Sequence, residues 1–308
     1  MSEDATMKIG TSLKSGYVTD DARGGAQWMI ERARASYEAG LDSLFVGDHH
    51  AVPVPYYQNV PILGRLLAEW HGRTAGVLML LPLWNPVLAA EQLGTRAAIH
   101  DGPFVLQCAL GGGESQFAAM GTSTRFRPSR FEAGLDIIRR LLAGETVDAE
   151  APFPVANARI APVSPEPVDV WIGGAAEKAI DRAARLGDGF LVGPEAVPSE
   201  VGELITIYRE RCEAHRRAPG AIAVRRDIHV GSSAEDAERV AGAVVAAGYR
   251  GFDPDAPVWG SVDTVAEAFG ALGDLGATDV IVRHLADDQR EVLDSIGRLA
   301  DVRRLLAS

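Results

Sequence analysis

Short apolar runs alternate with longer amphipathic stretches along almost the whole chain. Eight runs have the length and the aliphatic, β-branched character of buried strands, and they cover Lys8–Leu13, Ser43–Val46, Thr74–Leu81, Phe104–Leu110, Val168–Ile172, Gly189–Val192, Ile222–Val230 and Thr278–Arg283. The stretches between them have helical spacing. From Arg23 to Ala39, apolar residues recur every three or four positions, and Gly40 then supplies a C-terminal cap.

The same spacing predicts helices in most of the other intervals. One begins after Asn85-Pro86, and the others cover Arg130–Leu142, Ala175–Leu186, Glu200–Ala214, Ser233–Ala247, Val262–Leu275 and Asp287–Leu306. The proline-rich stretch Pro152–Pro167 departs from the alternation. Eight alternating strands and helices favour a single-domain (β/α)8 TIM barrel over residues 1–308, with an insertion after the fourth βα unit. A doubly wound open sheet is the main alternative.

The composition is that of a globular protein with a large core, since 47% of the residues are hydrophobic and the mean hydropathy is +0.02. The chain has 42 acidic and 30 basic residues and a formal net charge of -12. This balance argues against nucleic acid or an anionic membrane as the main partner, because both need a basic surface. There is no secretory signal and no long uncharged run, so we expect a cytoplasmic protein without a membrane span.

Histidines are grouped where a barrel would have its active site, at the C-terminal ends of the strands. His49 and His50 follow the second strand, His229 lies near the end of the seventh, and His284 follows the eighth. A metal-dependent hydrolase could use these side chains with Asp48. That hypothesis is disfavoured, because the first strand ends in Gly-Thr-Ser-Leu and offers no ligand. We therefore expect no metal site.

Two glycine-rich turns follow strands in the same way. Gly111-Gly112-Gly113-Glu114 follows the fourth strand, and Gly173-Gly174 follows the fifth directly before a helix. Backbone without a Cβ can approach a flat ring or a phosphate closely, and helix N-termini attract anions. The chain has no GxGxxG after its first strand and no GxxxxGK[ST], so a classical dinucleotide or nucleoside triphosphate site is not indicated.

Six motifs in the same order resemble those of the bacterial luciferase-like flavin and deazaflavin oxidoreductases. They are Gly40-Leu41-Asp42-Ser43-Leu44-Phe45-Val46-Gly47-Asp48-His49, Leu81-Pro82-Leu83-Trp84-Asn85-Pro86, Asp101-Gly102-Pro103-Phe104, Val170-Trp171-Ile172-Gly173-Gly174, Arg182-Ala183-Ala184-Arg185-Leu186-Gly187-Asp188-Gly189-Phe190 and Gly260-Ser261-Val262-Asp263. The third departs from the Ser-Gly-Arg-Phe that is usual in the family. Each motif is loose by itself, but together they identify the chain as a member.

The resemblance implies a (β/α)8 barrel that binds FMN or F420 at its mouth, usually as a homodimer. The cofactor-binding residues that it implies are Gly76, Val77, Leu78, Gly111, Gly112, Gly113, Gly173, Gly174, Ala175 and Ala176. Residues 173–176 would hold the cofactor phosphate, and residues 111–113 would pass alongside the tricyclic ring. Residues 76–78 would form a strand bulge behind the ring, often with a non-proline cis peptide.

Asp48-His49 is similar to the Asp-His pair of the F420-dependent members, whereas luciferases carry Glu-His. Glu114 matches a glutamate that is the proposed acid/base partner of the histidine in F420-dependent sugar dehydrogenases. We therefore expect F420 rather than FMN. The segment 192–195 departs from those enzymes, since it reads Val-Gly-Pro-Glu where they hold the phosphates with threonine and lysine. The remaining bases for an anionic tail are Lys178, Arg125, Arg127 and Arg283.

These residues predict hydride transfer between F420 and a small organic substrate. His49 would be the general acid/base, Asp48 would fix its tautomer, and Glu114 would be a second proton-transfer group. The long segment Ala51–Leu63 would form part of the substrate wall. Side chains expected to contact substrate are His50, Tyr56, Tyr57 and His284.

Two other functions use the same pocket. An FMN enzyme would take reduced flavin from a partner reductase, add O2 and monooxygenate its substrate. A flavin-binding protein that has lost catalysis is the more remote alternative, and the presence of both His49 and Glu114 speaks against it.

Overall fold

The alternation of strands and helices runs through the computed structural model, which describes residues 7–17, 19 and 21–307. Its strands are β1 (Lys8–Leu13), β2 (Ser43–Val46), β3 (Thr74–Leu80), β4 (Phe104–Ala109), β5 (Val147–Ala149), β6 (Val155–Ala158), β7 (Val168–Gly173), β8 (Gly189–Val192), β9 (Ala221–Val230), β10 (Val258–Gly260) and β11 (Asp279–His284). All eight predicted strands are present, and their ends differ from the prediction by one residue at most.

The helices fill the intervals between these strands. They are α1 (Ala22–Glu38), α2 (Asn59–Leu66), α3 (Pro86–Ile99), α4 (Glu114–Ala119), α5 (Arg127–Leu142), α6 (Glu177–Leu186), α7 (Pro198–Ala214), α8 (Ala234–Ala237), α9 (Ala243–Ala246), α10 (Val262–Asp274) and α11 (Gln289–Leu306). A π-helical turn over Glu238–Gly242 joins α8 to α9. Within the described ranges, no helix has the length and apolar character needed to cross a bilayer.

Eight parallel strands close into a (β/α)8 barrel in the order β1-β2-β3-β4-β7-β8-β9-β11, and β11 pairs back to β1. The predicted TIM barrel is confirmed, and the open doubly wound sheet is excluded. β9 pairs with β8 over its first residues and with β10 at its end. β10 therefore extends the sheet beyond the eight barrel strands.

The predicted insertion lies between α5 and β7. There β5 and β6 form an antiparallel pair. The prediction of irregular structure over Pro152–Pro167 is therefore wrong at Val155–Ala158, which form β6. The ring of Phe153 packs on the guanidinium of Arg130 in α5, 4.2 Å from ring centroid to Cζ, and this contact fixes the insertion to its neighbouring helix.

The described residues divide into two compact units. Unit 1 comprises residues 7–14, 21–45 and 171–307, and unit 2 comprises residues 15–17, 19 and 46–170. In unit 1, α1 and α10 pack against α11, and α6 packs against α7. Phe190 of β8 stacks on Tyr208 of α7, with ring centroids 4.9 Å apart. Such aromatic pairs contribute to stability beyond the area that they bury.

Unit 2 is built around β3 and β4, with α3 packed on α5. The side chain of Asn85 caps α3 by accepting hydrogen bonds from the backbone N–H groups of Val87 and Leu88. Pro86 occupies the first helical position, where no N–H is needed. The local sequence thus fixes where the chain turns after β3.

One local prediction is corrected in unit 2, and one segment contains a helix that was not predicted. α2 begins at Asn59, within the segment Ala51–Leu63. The strand bulge expected at Gly76–Leu78 is absent on the β4 side, where the register runs unbroken from Ala75 to Leu80. Within the described residues only two X–Pro bonds are cis, so the peptide bonds of residues 76–78 are trans.

Candidate active site

The Asp48 carboxylate is the centre of a buried polar network in unit 2. The residue follows β2 and is 6% exposed. Its Oδ2 accepts hydrogen bonds from the Leu80 backbone N–H at 2.8 Å and from the Trp84 indole Nε1 at 2.7 Å. Its Oδ1 accepts a bond from Asn59 Nδ2 at 3.1 Å. Donors from β3, the turn after it and α2 therefore fix the position of one carboxylate.

His50 is the histidine that faces this carboxylate. Its Nε2 lies 3.1 Å from Asp48 Oδ1, and the ring packs edge-on against Trp84 at 5.6 Å between centroids. The interaction with Asp48 raises the pKa of His50, against the opposing effect of burial. Among the residues described, no hydrogen bond joins Asp48 to the ring of His49. The prediction that Asp48 fixes the tautomer of His49 is therefore wrong, and His50 is the partner.

His49 has different surroundings from its neighbour. Its side chain is exposed, and its ring lies 5.9 Å from that of Tyr56. Partial burial lowers the pKa of His49, and the adjacent His50 lowers it further, against the opposing effect of Asp48. The ring has no hydrogen-bond partner within the described part of the chain. It is thus a neutral imidazole at neutral pH, accessible to a bound molecule.

Gln116 joins the turn of the two histidines to the glycine-rich loop. Its buried Oε1 accepts a hydrogen bond from the His50 backbone N–H at 2.7 Å, and its Nε2 donates to the Gly112 carbonyl at 3.1 Å. Arg127 Nη1 donates to the Gly111 carbonyl at 2.5 Å. Arg127 therefore holds the loop, rather than being free for an anionic tail. Sequence reasoning missed Gln116, since a glutamine at the start of a helix has no distinctive pattern.

The glycine-rich loop needs glycine at Gly111 for two reasons. Its φ of 72° lies in the left-handed region, and a Cβ would come within 3.1 Å of the Leu80 side chain. Glu114, the first residue of α4, is exposed, and Oε1 of its carboxylate accepts a short hydrogen bond from Thr124 Oγ1. No hydrogen bond within the described residues joins Glu114 to His49.

Tyr56 and Tyr57 are held by the short segment at residues 15–17. Tyr56 forms an isolated antiparallel bridge with Gly16, and the Tyr57 N–H donates to the Ser15 carbonyl at 2.9 Å. Both rings are part-exposed. Because Tyr56 lies beside His49, its predicted place in the substrate wall has geometric support, and the role itself stays a prediction.

The turn predicted to hold a phosphate lies in unit 1. β7 ends at Gly173, and Ala176 precedes α6 without any side-chain cap, so the first backbone N–H groups of the helix are not taken up by a cap. A Cβ on Gly174, whose φ is 155°, would lie 2.5 Å from the Ala179 Cβ. This close approach requires glycine at position 174. The uncapped backbone N–H groups at the start of α6 are available to an anion. Lys178 is exposed on the first turn.

His284 and His229 lie in unit 1 and are buried, at 6% and 0% exposure. Neither ring nitrogen of either residue has a partner among the described residues. Burial lowers the pKa of His284 to about 3, and it also lowers the pKa of His229. A buried ring does not line an accessible wall, so the predicted substrate contact of His284 is not supported by its position.

A metal-binding group is not found in the parts of the chain that the structure describes. No three His, Cys, Asp or Glu side chains are grouped so as to hold a metal ion. Cys108 and Cys212 are both buried, and neither forms a disulfide. The chemistry available in unit 2 is thus proton transfer by His49, next to a fixed Asp48–His50 pair and a braced glycine loop.

The sequence profile of the luciferase-like monooxygenase family matches residues 7–274. An F420-dependent glucose-6-phosphate dehydrogenase of Kribbella flavida is 28% identical over 190 residues, which make up 58% of this chain and 57% of that enzyme. The chain therefore matches less than two thirds of the length of this curated relative.

Two solved structures share the fold. An F420-dependent secondary alcohol dehydrogenase in complex with an F420-acetone adduct superposes with a TM-score of 0.79 at 16% identity, covering 98% of this chain and 99% of that one. The oxygenating constituent of 3,6-diketocamphane monooxygenase from Pseudomonas putida, in complex with FMN, gives 0.82 at 17% identity, with 96% and 97% covered. At these identities the likeness concerns the fold, and the two proteins carry different cofactors.

Proposed function

The chain belongs to the luciferase-like monooxygenase family, and on that basis we propose that it is an oxidoreductase that uses F420, or failing that FMN, on a small organic substrate. With F420 the reaction is hydride transfer. The F420-dependent relatives and the Asp48-His49 pair support this choice over an oxygenase. The FMN-bound neighbour keeps the flavin alternative open.

The observation that carries the proposal is the opposite shift in pKa of two adjacent histidines, His49 and His50. The buried Asp48 carboxylate lies against His50 and raises its pKa. His49 stays exposed, with a lowered pKa. Two titratable groups whose pKa values are driven apart by their surroundings are typical of acid/base sites. His49 is neutral at neutral pH and can accept a proton, whereas His50 is stabilised as a cation.

In the direction of alcohol oxidation, a ring nitrogen of His49 accepts the proton of the substrate hydroxyl. When bound, F420 would supply the acceptor for the hydride that leaves the carbon bearing this hydroxyl. In the reverse direction the imidazolium of His49 returns the proton to the carbonyl oxygen. The Asp48–His50 pair positions the turn that carries His49. Glu114, with its carboxylate held by Thr124, is the second proton-transfer group of the proposal.

The residues present fit such a cofactor. The uncapped start of α6, together with the close approach at Gly174, is a cradle for a phosphate at Gly173–Ala176. Residues 111–113 are all glycine, and Gly112 and Gly113 are exposed. Their backbone can therefore approach the edge of a flat ring closely. Gly76, Val77 and Leu78 retain their proposed place behind the ring as regular strand backbone, without the bulge.

One observation favours the FMN alternative. Glu195 follows β8 and is exposed, where the F420-dependent sugar dehydrogenases would supply a cation. A carboxylate there repels the anionic tail of F420 and has less effect on the smaller FMN. In that case the protein is a two-component monooxygenase that receives reduced flavin from a partner reductase. A homodimer and a cytoplasmic location belong to either version of the proposal.

Substitution of His49 tests the proposed role. The wild-type protein with oxidised F420 is screened against small alcohols, and with reduced F420 against aldehydes, ketones and enones, by the visible absorbance of the deazaflavin. We expect His49→Gln to bind F420 as the wild type does and to lose about 10²–10⁴-fold in turnover.

The matched control is His71→Gln, an exposed histidine of unit 2 that precedes β3, at the opposite end of that strand from Leu80. It should turn over F420 at the wild-type rate. Equal rates in His49→Gln and wild type would remove His49 from the mechanism.

A further inference from the structure

Unit 1 contains a second group of charged side chains, on β9 and β11. In the parallel register, Arg283 of β11 is opposite Asp227 of β9, and Ile281 is opposite Arg225. Residues in register on neighbouring strands share a face of the sheet, and so do residues two apart on one strand. Arg225, Asp227 and Arg283 therefore point to the same side of the sheet.

The segment after β9 adds two more polar side chains. Tyr249 Oη donates to Asp227 Oδ2 at 3.0 Å, and Arg250 Nη1 donates to the same oxygen at 2.8 Å. Arg250 has a φ of 52°, in the left-handed region that residues with a side chain rarely adopt. Such a conformation persists where surrounding contacts impose it, and active sites and ligand clamps are among the places where it occurs.

The group has more positive than negative charge. Three guanidinium groups, of Arg225, Arg250 and Arg283, accompany one buried carboxylate, that of Asp227 at 0% exposure. Glu195 adds a second carboxylate, which is exposed. One positive charge remains even when Glu195 is counted in full. Buried like charges destabilise one another unless a counter-charge is present.

Two hydrogen-bond donors of this group also lack acceptors among the described residues. The Nε atoms of Arg225 and Arg283 are buried, and neither has a partner among the described residues. Burial lowers the pKa of Arg225, and the cations of Arg283 and Arg250 lower it further, while Asp227 opposes them. Donors and positive charge are therefore unsatisfied at the same place, where the second carboxylate oxygen of Asp227, Oδ1, is also buried without a partner among the described residues.

The group is accessible from outside. Arg225 and Arg283 are part-exposed, and the side chain of Arg250 is 38% exposed. Guanidinium groups donate parallel hydrogen bonds to two oxygens of a carboxylate or phosphate, and this fork recognises oxyanions. On these grounds we propose that Arg225, Arg250 and Arg283 bind an oxyanion group, a phosphate or a carboxylate, of a small-molecule ligand.

Asp227 has a positioning role in this site. It holds Arg250 and Tyr249 in place through Oδ2, and it leaves the cations in excess. All residues of this site belong to unit 1. The proposal goes beyond hydride transfer, because anion binding requires neither a deazaflavin nor a proton-transfer group.

Inorganic phosphate is the probe that tests the site. Calorimetric titration of the full chain with phosphate, in chloride of matched ionic strength, should show saturable binding to the wild type. Arg283→Gln should weaken this binding about tenfold, since a charge-assisted hydrogen bond and a charge are both lost. Arg283→Lys should be intermediate, because it keeps the charge and loses the fork.

The matched control is Arg290→Gln, an arginine of α11 whose side chain is 91% exposed, and it should bind phosphate like the wild type. If Arg283→Gln does not fold, as judged by circular dichroism, Arg250→Gln on the exposed segment gives the same comparison. No binding to the wild type beyond that of chloride, or equal binding by wild type and both arginine variants, would overturn the site.

Competition identifies which molecule carries the oxyanion. Phosphate is added during titrations with FMN and with riboflavin, which lacks the phosphate. If phosphate weakens the binding of FMN to the wild type but not to Arg283→Gln, and leaves riboflavin unaffected, the anion at this site belongs to the cofactor. If neither is weakened while phosphate still binds, the anion belongs to the substrate.

Discussion

His49 and His50 are neighbours in the chain, yet the pKa of one is lowered and that of the other is raised. Burial lowers the pKa of His49, whereas the Asp48 carboxylate, 3.1 Å from His50 Nε2, raises the pKa of His50. An acidic group and two histidines in sequence could be recognised as candidate chemistry. The sequence could not predict which of the two imidazoles turns inward at the end of β2, because donors from Leu80 and Trp84 decide where the Asp48 carboxylate points.

The roles of Asn59 and Gln116 were beyond sequence reasoning for a related reason. Both are buried amides whose partners are distant in the chain, Asp48 for the first and His50 for the second. Amides occur in many loops and helix starts, and nothing local marks these two. By contrast, Tyr56 was singled out from its loop, and it lies beside His49.

Acid sensitivity is expected from the buried His284. Its pKa in the folded protein is about 3, compared with 6.5 ordinarily. The unfolded chain takes up this proton as the pH falls below 6.5, whereas the folded protein does not until near pH 3. The free energy of unfolding should therefore decrease by roughly 2 kcal/mol between about pH 7 and about pH 5 through this residue.

Urea unfolding at the two pH values measures the effect. In His284→Asn the decrease in unfolding free energy from about pH 7 to about pH 5 should be smaller by roughly 2 kcal/mol. In His71→Asn, at an exposed position, this decrease should be the same as in the wild type. His229 acts in the same direction, so some acid sensitivity remains in the first variant. An identical pH dependence in His284→Asn and wild type would contradict the assignment.

At the scale of elements, strands were easier to predict than short helices. Apolar runs such as β3 and β8 have no other good interpretation when they recur with helices between them. α2 was missed because its sequence contains a proline and a glycine. Pro61 lies in its first turn, where a missing N–H breaks no intrahelical bond. α4 has only six residues, too few for a periodic pattern.

The link between the histidine turn and α4 should be measurable. Gln116→Met keeps the length of the side chain and removes its bonds to the His50 N–H and the Gly112 carbonyl. We expect a loss of about 1–3 kcal/mol in the free energy of unfolding, because two part-buried hydrogen bonds are lost.

Gln27→Met is the comparison for this variant, since Gln27 is exposed on α1 and its bond to Glu31 is long, at 3.5 Å. It should change the unfolding free energy little. A Gln116→Met protein as stable as the wild type in urea would show that the link contributes nothing.

At the scale of the molecule, the barrel was predictable from the alternation, and closure of β11 on β1 bears this out. The net charge of -12 argues against polyanionic surfaces as main partners, which stays a prediction, but it could not reveal the local excess of arginine on β9 and β11. That excess depends on strand register, which brings Arg283 opposite Asp227. The homodimer and the cytoplasmic location stay predictions, and sedimentation of the purified protein tests the first.

Cofactor binding tests the central proposal most directly. The apo-protein is titrated in parallel with F420 and with FMN, each oxidised and reduced, and the fluorescence of protein and cofactor is followed. We predict saturable binding of F420 at micromolar concentration and weaker binding of FMN. A preference for FMN would select the two-component monooxygenase with its reductase. If neither cofactor bound, the proposal of a flavin- or deazaflavin-dependent oxidoreductase would be contradicted, and family membership would describe the fold alone.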